Sequence, residues 1–158
     1  MEIEKKIAEL GLELPVLPEK PGTRRVRAVR TGNLVYLAGH GPFHDGGYPF
    51  KGPVGVAISV AEASAATRYN ALALLSSLRR EIGDLDDVVR IVKINAYVYG
   101  EPGFNQPSVV AEGCSDLLMD LYGERGRHAR SAVTVAALTM DICCETEMIV
   151  EVRPTPTH

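Results

Sequence analysis

Residues 88–100 read VVRIVKINAYVYG. Valine, isoleucine and tyrosine dominate, and such residues suit a pleated, half-buried strand. Alternation sets Val92, Ile94, Ala96 and Val98 on one face and Lys93, Asn95, Tyr97 and Tyr99 on the other. One apolar face on so long a strand has to be covered by another layer.

Two helical patterns flank the strand. Upstream, Ser59-x-x-Glu62 is a capping box, and Val60, Ala63, Tyr69, Leu72, Leu75 and Leu78 recur at helical spacing to about Glu81. Gly83 marks the stop. Downstream, Pro107 to Tyr122 places Val110, Leu117, Leu118 and Leu121 inward, with Gly123 after it. Residues 25–30 and 33–38 form a predicted hairpin around Thr31-Gly32, and 129–137 and 143–152 are the last two strands. Both helices are long and amphipathic, so both should lie on the same side of the sheet. The order β-β-α-β-α-β-β then predicts an α+β sandwich of two layers, with two long helices on one face of a mixed sheet.

Between these elements, GHGPFHDGGYPFKGPVG (39–55) holds six glycines and three prolines and reads as a long loop. Residues 3–10 predict a short helix with Ile3, Ile7, Ala8 and Leu10 on one side, and 12–22 an extended lead-in. The tail RPTPTH (153–158) is expected to fray. One domain is expected over 1–158, with 1–24 as an N-terminal extension.

The 158 residues suffice for one core, and a net charge of −3 argues against broad nucleic-acid or anionic-membrane binding. No apolar run approaches the ~20 residues of a membrane helix. MEIEKKIAELGLEL (1–14) lacks the apolar centre of a signal peptide, so a cytoplasmic location is expected. Three cysteines, Cys114, Cys143 and Cys144, are an odd count that suits a reducing compartment. Strand alternation predicts that Cys143 and Cys144 point to opposite faces.

The other strands extend the two-face reading. Cys144, Thr146, Met148, Val150 and Val152 oppose Glu145, Glu147 and Glu151. Val133 and Val135 oppose His128, Arg130, Ala132 and Thr134. With the apolar faces on the helices, the open face gathers Lys93, Asn95, Tyr97, Arg130, Glu145 and Glu147, together with Tyr36, Ala38 and Ala132. Such a mixture predicts a subunit interface with pockets at its edges. A guanidinium buried there demands an anionic partner, either a carboxylate side chain or a ligand. His40, His44 and His128 meet no metal-ligand spacing, so no metal is expected. Arg24, Arg25, Arg27 and Arg30 carry no interleaved aromatics for base stacking and read as a solvated strand edge.

GNLVYLAGHGP (32–42), GDLDDVVRIVKINAYV (83–98), QP (106–107), HARSAVTV (128–135) and CETEMIVEV (144–152) together resemble the Rid family, also called YjgF-like or L-PSP endoribonuclease-like. The match runs over residues 25–152 in order and is closest to a longer, less characterised branch. The resemblance implies a chorismate-mutase-like fold and a homotrimer whose clefts lie between subunits. It implies hydrolysis of reactive enamines and imines such as 2-aminoacrylate to 2-keto acids and ammonia, with no metal or organic cofactor. The family's carboxylate-binding arginine falls on Arg130, and its last-strand glutamate on Glu145, with Glu147 the nearest competitor. Tyr97, Ala38, Gly39, His40, Ala132 and Gly113 fall on or beside the substrate pocket. There the chain departs from the family pattern: Ala38 replaces a serine, His40 a glutamine, Ala132 a cysteine, Gly113 aligns near an asparagine, and Arg25 near a tyrosine. The retained Arg130 and Glu145 suit either an imine deaminase or a non-catalytic trimeric binder of small carboxylates. A ribonuclease is the third reading, and it would depend on Arg25 or Arg27.

Overall fold

The computed structural model of the chain describes residues 1–154. Strands β1 (Ala28–Thr31), β2 (Leu34–His40), β3 (Val88–Tyr99), β4 (Ala129–Val135) and β5 (Cys144–Val152) form one sheet in the order β1-β2-β5-β3-β4. β3 and β4 run parallel and every other pair is antiparallel. A parallel pair needs a crossover, and α3 (Pro107–Tyr122) supplies it. With α2 (Val60–Ile82) it makes the helical layer, as the α+β sandwich reading predicts.

The capping box starts α2: Ser59 Oγ accepts from the Glu62 amide at 3.2 Å while Glu62 Oε2 accepts from the Ser59 amide at 2.9 Å. Gly83, at φ 87°, ends the helix in a conformation that L side chains avoid. Leu74, Leu75 and Leu78 of α2 and Leu117, Leu118 and Leu121 of α3 are fully buried over Ile91, Ile94, Met148 and Val150. Each such side chain contributes roughly 1.5–3 kcal/mol of burial energy. The helices touch closely at Gly113, where a Cβ would stand 1.9 Å from the Ser64 carbonyl oxygen. Thr67 Oγ1 bridges the contact, accepting from the Cys114 amide at 2.9 Å.

The N-terminal segment is more than an appendage. In α1 (Glu2–Glu9), Ile3 and Ile7 join the main core, while Ala8 and Leu10 stay exposed. The loop 39–55 is pinned to α2: the His44 ring stacks on Tyr69 at 4.1 Å and Phe50 stacks on the other ring at 5.5 Å. Arg153 still holds the body through its amide, which donates to Asp87 O at 2.9 Å. Residues 155–158, the end of the tail expected to fray, lie outside the described residues.

Three alternation readings change. A bulge between Ile91 and Lys93 makes Ile91, rather than Val92, the core partner of Ile94. Cys143 precedes β5, so the period of two does not reach it. Both cysteines are buried and their sulfurs lie 3.6 Å apart instead of on opposite faces. On β4 the assignment inverts. Arg130 pairs with Ile94 and Ala132 with Ala96, so both turn toward the helical layer, while Val133 pairs with Tyr97 on the open face and is 46% exposed. An edge strand carries no continuous apolar stripe, and its alternation leaves the choice of face undecided.

Candidate active site

The open face of the sheet collects Lys93, Asn95 and Tyr97 from β3, Glu145 and Glu147 from β5, and Tyr36 and Ala38 from β2. Glu147 accepts from Asn95 Nδ2 at 2.7 Å and from the Tyr97 hydroxyl at 3.0 Å. Burial raises the Tyr97 pKa, and the adjacent Glu147 adds to the shift, so the phenol keeps its proton. Val29, Tyr36, Ala38, Lys93, Asn95 and Glu147 line a shallow cavity of ≈ 300 Å³ in this face.

Glu145 sits beside that cavity, over a bulge. Between Leu37 and His40, β2 spends two residues, Ala38 and Gly39, against one on β5. A Cβ on Gly39 would stand 1.9 Å from Glu145 Oε1, so glycine is what lets the carboxyl lie against the backbone. Burial raises the pKa of Glu145 and the nearby charge of Glu147 raises it further, while Arg25 pulls weakly the other way. The result is a carboxylic acid whose proton comes off later than in water.

Arg130 lies on the other side of the sheet. Its Nη1 donates to Ser115 Oγ at 3.0 Å and its Nη2 to Glu112 Oε1 at 2.8 Å, both on α3. Its side chain is 20% exposed and that of Glu112 51% exposed. Arg130 lowers the pKa of Glu112, chiefly through this hydrogen bond. Ser115 Oγ also lies 3.0 Å from His128 Nε2, and His128 Nδ1 lies 2.6 Å from Gly126 O. The carbonyl can only accept, so in the neutral ring Nδ1 carries the proton and Nε2 accepts from Ser115. Burial lowers the His128 pKa and the Arg130 charge adds to it, which keeps the ring neutral. Sequence reasoning missed Glu112 and Ser115. They stand three residues apart on a helix, a spacing that marks one face, but nothing in the sequence says that this face meets Arg130.

The structure therefore divides the expected site. Tyr97, Ala38, Gly39 and Glu145 gather on the open face. Arg130 and Ala132 face α3 from the sheet edge, two strands from β5. His40 lines no cleft: it is 6% exposed, with Nδ1 2.6 Å from Ala38 O and Nε2 2.7 Å from Ser77 Oγ on α2. The bulge turns it inward. Gly113 is enclosed by α2 and serves helix packing.

A two-layer α+β sandwich with one face of its sheet left open defines the class. The profile described as "YjgF/chorismate_mutase-like, putative endoribonuclease" matches residues 4–152, and the chain belongs to this family. It is 38% identical over 148 residues to "Protein TCP17" of Trypanosoma cruzi, covering 93% of this chain and 92% of that one. It is similar to the crystal structure of Atu1372, a protein of unknown function from Agrobacterium tumefaciens, at 34% identity and a TM-score of 0.89, covering 96% and 94%. The fold is also shared with Escherichia coli TdcF, solved with bound serine, at 22% identity and a TM-score of 0.54 over 83% and 89% of the two chains. No helix among the described residues is long and apolar enough to cross a membrane.

Proposed function

We propose that the chain hydrolyses small, reactive enamines and imines of the 2-aminoacrylate type in clefts between the subunits of a homotrimer. The observation that carries this reading is Glu145: a half-buried carboxyl of raised pKa over the Gly39 bulge, on a face edged by exposed Val29, Tyr36 and Val133. A carboxyl whose pKa burial raises holds its proton more tightly than a solvated one and can pass it to and from a neighbouring group. Large apolar side chains on an otherwise open sheet favour coverage by a second copy. Arg130 and Glu145 occupy opposite faces of one chain. A site using both takes them from two protomers.

In this scheme Arg130 holds the substrate carboxylate through N–H donors not committed to Glu112 or Ser115. The enamine tautomerises to the imine, and Glu145 of the neighbouring protomer orients a water. The water oxygen bonds to the carbon of the protonated imine as the C=N electron pair moves to nitrogen and one water proton passes to Glu145. Glu145 returns that proton to the carbinolamine nitrogen and takes the hydroxyl proton as the C–N bond breaks, so that ammonia leaves with the 2-keto acid. Because imines are already electrophilic, positioning supplies much of the rate. The scheme uses no metal or organic cofactor. Its proposed setting is the cytoplasm, where Cys114, Cys143 and Cys144 stay reduced as free thiols. The serine bound to TdcF supports a ligand of amino-acid size.

The test generates 2-aminoacrylate in situ and follows keto-acid release. Arg130→Ala and Glu145→Gln should each lose activity, and a co-refolded mixture of the two should regain part of it, because some interfaces then pair an intact Arg130 with an intact Glu145. An active Arg130→Ala protein refutes the assignment, and a mixture as dead as its parents refutes the shared site. One observation favours the non-catalytic binder: Ala38 and Ala132 offer the pocket no polar side chain. Keto acids that raise the melting temperature of a protein showing no turnover would establish that reading.

A further inference from the structure

We infer that Glu112 makes the Arg130 site selective for zwitterions, that is, for ligands carrying both a carboxylate and a protonated nitrogen, over simple carboxylate anions. This rests on the proposed role of Arg130 as carboxylate anchor. A guanidinium has five N–H donors, and two are engaged, one by Glu112 and one by Ser115. The remaining donors can take a ligand carboxylate. Any anion that does so arrives beside an ionised carboxylate of the chain, whose nearer oxygen is 2.8 Å from Nη2. The other neighbours, Ser115 and the neutral His128, add no charge. The local balance of Arg130 and Glu112 is therefore close to zero. A 2-keto acid meets attraction and repulsion together. A protonated imine or a 2-amino acid sets its carboxylate on Arg130 and its cationic nitrogen near the Glu112 carboxylate, whose side chain is half exposed and can turn to meet it.

The chemical consequence concerns turnover. The iminium form of the substrate is zwitterionic, whereas the product keto acid is a plain anion, so the same residue that welcomes the substrate weakens the hold on the product. The pair lies at the surface, where an ion pair shifts an equilibrium by up to about five-fold.

The experiment titrates the full chain with L-alanine and with pyruvate, which differ only at the amino and keto group, and measures both dissociation constants by calorimetry. It is run on the unaltered protein, Glu112→Gln and Arg130→Ala. The expected result is a preference for alanine that falls about five-fold in Glu112→Gln, alanine weakening and pyruvate tightening. Glu112 is half exposed, so the substitution leaves the core untouched. Ser115→Ala, which changes no charge, should keep the preference. An unchanged preference in Glu112→Gln, with both ligands lost in Arg130→Ala, overturns the role of Glu112 and leaves the Arg130 anchor standing. Unaltered binding of both ligands in Arg130→Ala, or binding of neither to the unaltered protein, overturns both.

Discussion

Replacing Gly113 by alanine tests whether this position lines a pocket or holds two helices together. Intrinsic propensity alone favours the change by about 1 kcal/mol, because glycine is the poorest ordinary helix former. Packing argues the reverse. The new Cβ would lie 1.9 Å from the Ser64 carbonyl oxygen and 2.6 Å from Thr67 Oγ1. An ordinary carbon–oxygen approach is about 3.3 Å, so α2 and α3 must part locally by about 1.4 Å. The obstacle is backbone, which cannot rotate aside. Overpacking of this kind costs about 1–3 kcal/mol, and parting the helices strains the bond from the Cys114 amide to Thr67, about 1 kcal/mol more. The propensity gain offsets that last amount, leaving a net loss of about 1–3 kcal/mol. For a chain of this size the melting temperature should fall by about 2–12 °C. Calorimetry and urea titration measure it. A Gly113→Ala protein as stable as the parent, or more so, would refute the packing argument. One that kept its stability but lost ligand binding would return Gly113 to the pocket.

Two further expectations concern stability. The pKa of Glu145 is raised in the folded chain, so its ionised form destabilises the fold. That cost is absent below the unfolded carboxyl pKa of about 4.3, grows as pH climbs from there to the folded pKa, and is constant above it. Glu145→Gln should therefore melt higher than the parent at pH 7–8, with the advantage gone below about pH 4; a pH series of melting curves showing no such convergence would count against the desolvated carboxyl. Ser59→Ala removes the acceptor of the capping box on α2 and should cost about 1 kcal/mol by urea titration, and a loss below about 0.3 kcal/mol would mean that the cap is dispensable.

Much of the architecture was legible because the signals are local. Helix α3 begins at Pro107 and ends at Tyr122 as read, and the capping box and Gly83 bound α2 within a residue or two. Strands β3 and β5 sit centrally under a helical layer, where every inward position but Thr146 is apolar, so their alternation identified the wet face correctly for Lys93, Asn95, Tyr97, Glu145 and Glu147. The resemblance set His40 beside the pocket, and the bulge in β2 turns it into the core instead. Cys143 escaped it because it stands just outside its strand.

Arg130 shows the division most clearly. Residue order alone says that a guanidinium stands on a strand among small and apolar residues and needs an anionic partner, since a charge leaving water must be compensated wherever it goes. Which partner it finds, and on which side of the sheet, is set by how the layers pack. Glu112 and Ser115 reach Arg130 from 18 and 15 residues away along the chain, through a crossover whose helix settles over the parallel strand pair. Contacts of that kind depend on how layers pack and not on the spacing of residues, and for that reason alternation, which reports two faces without saying what covers each, placed Arg130 on the wrong one.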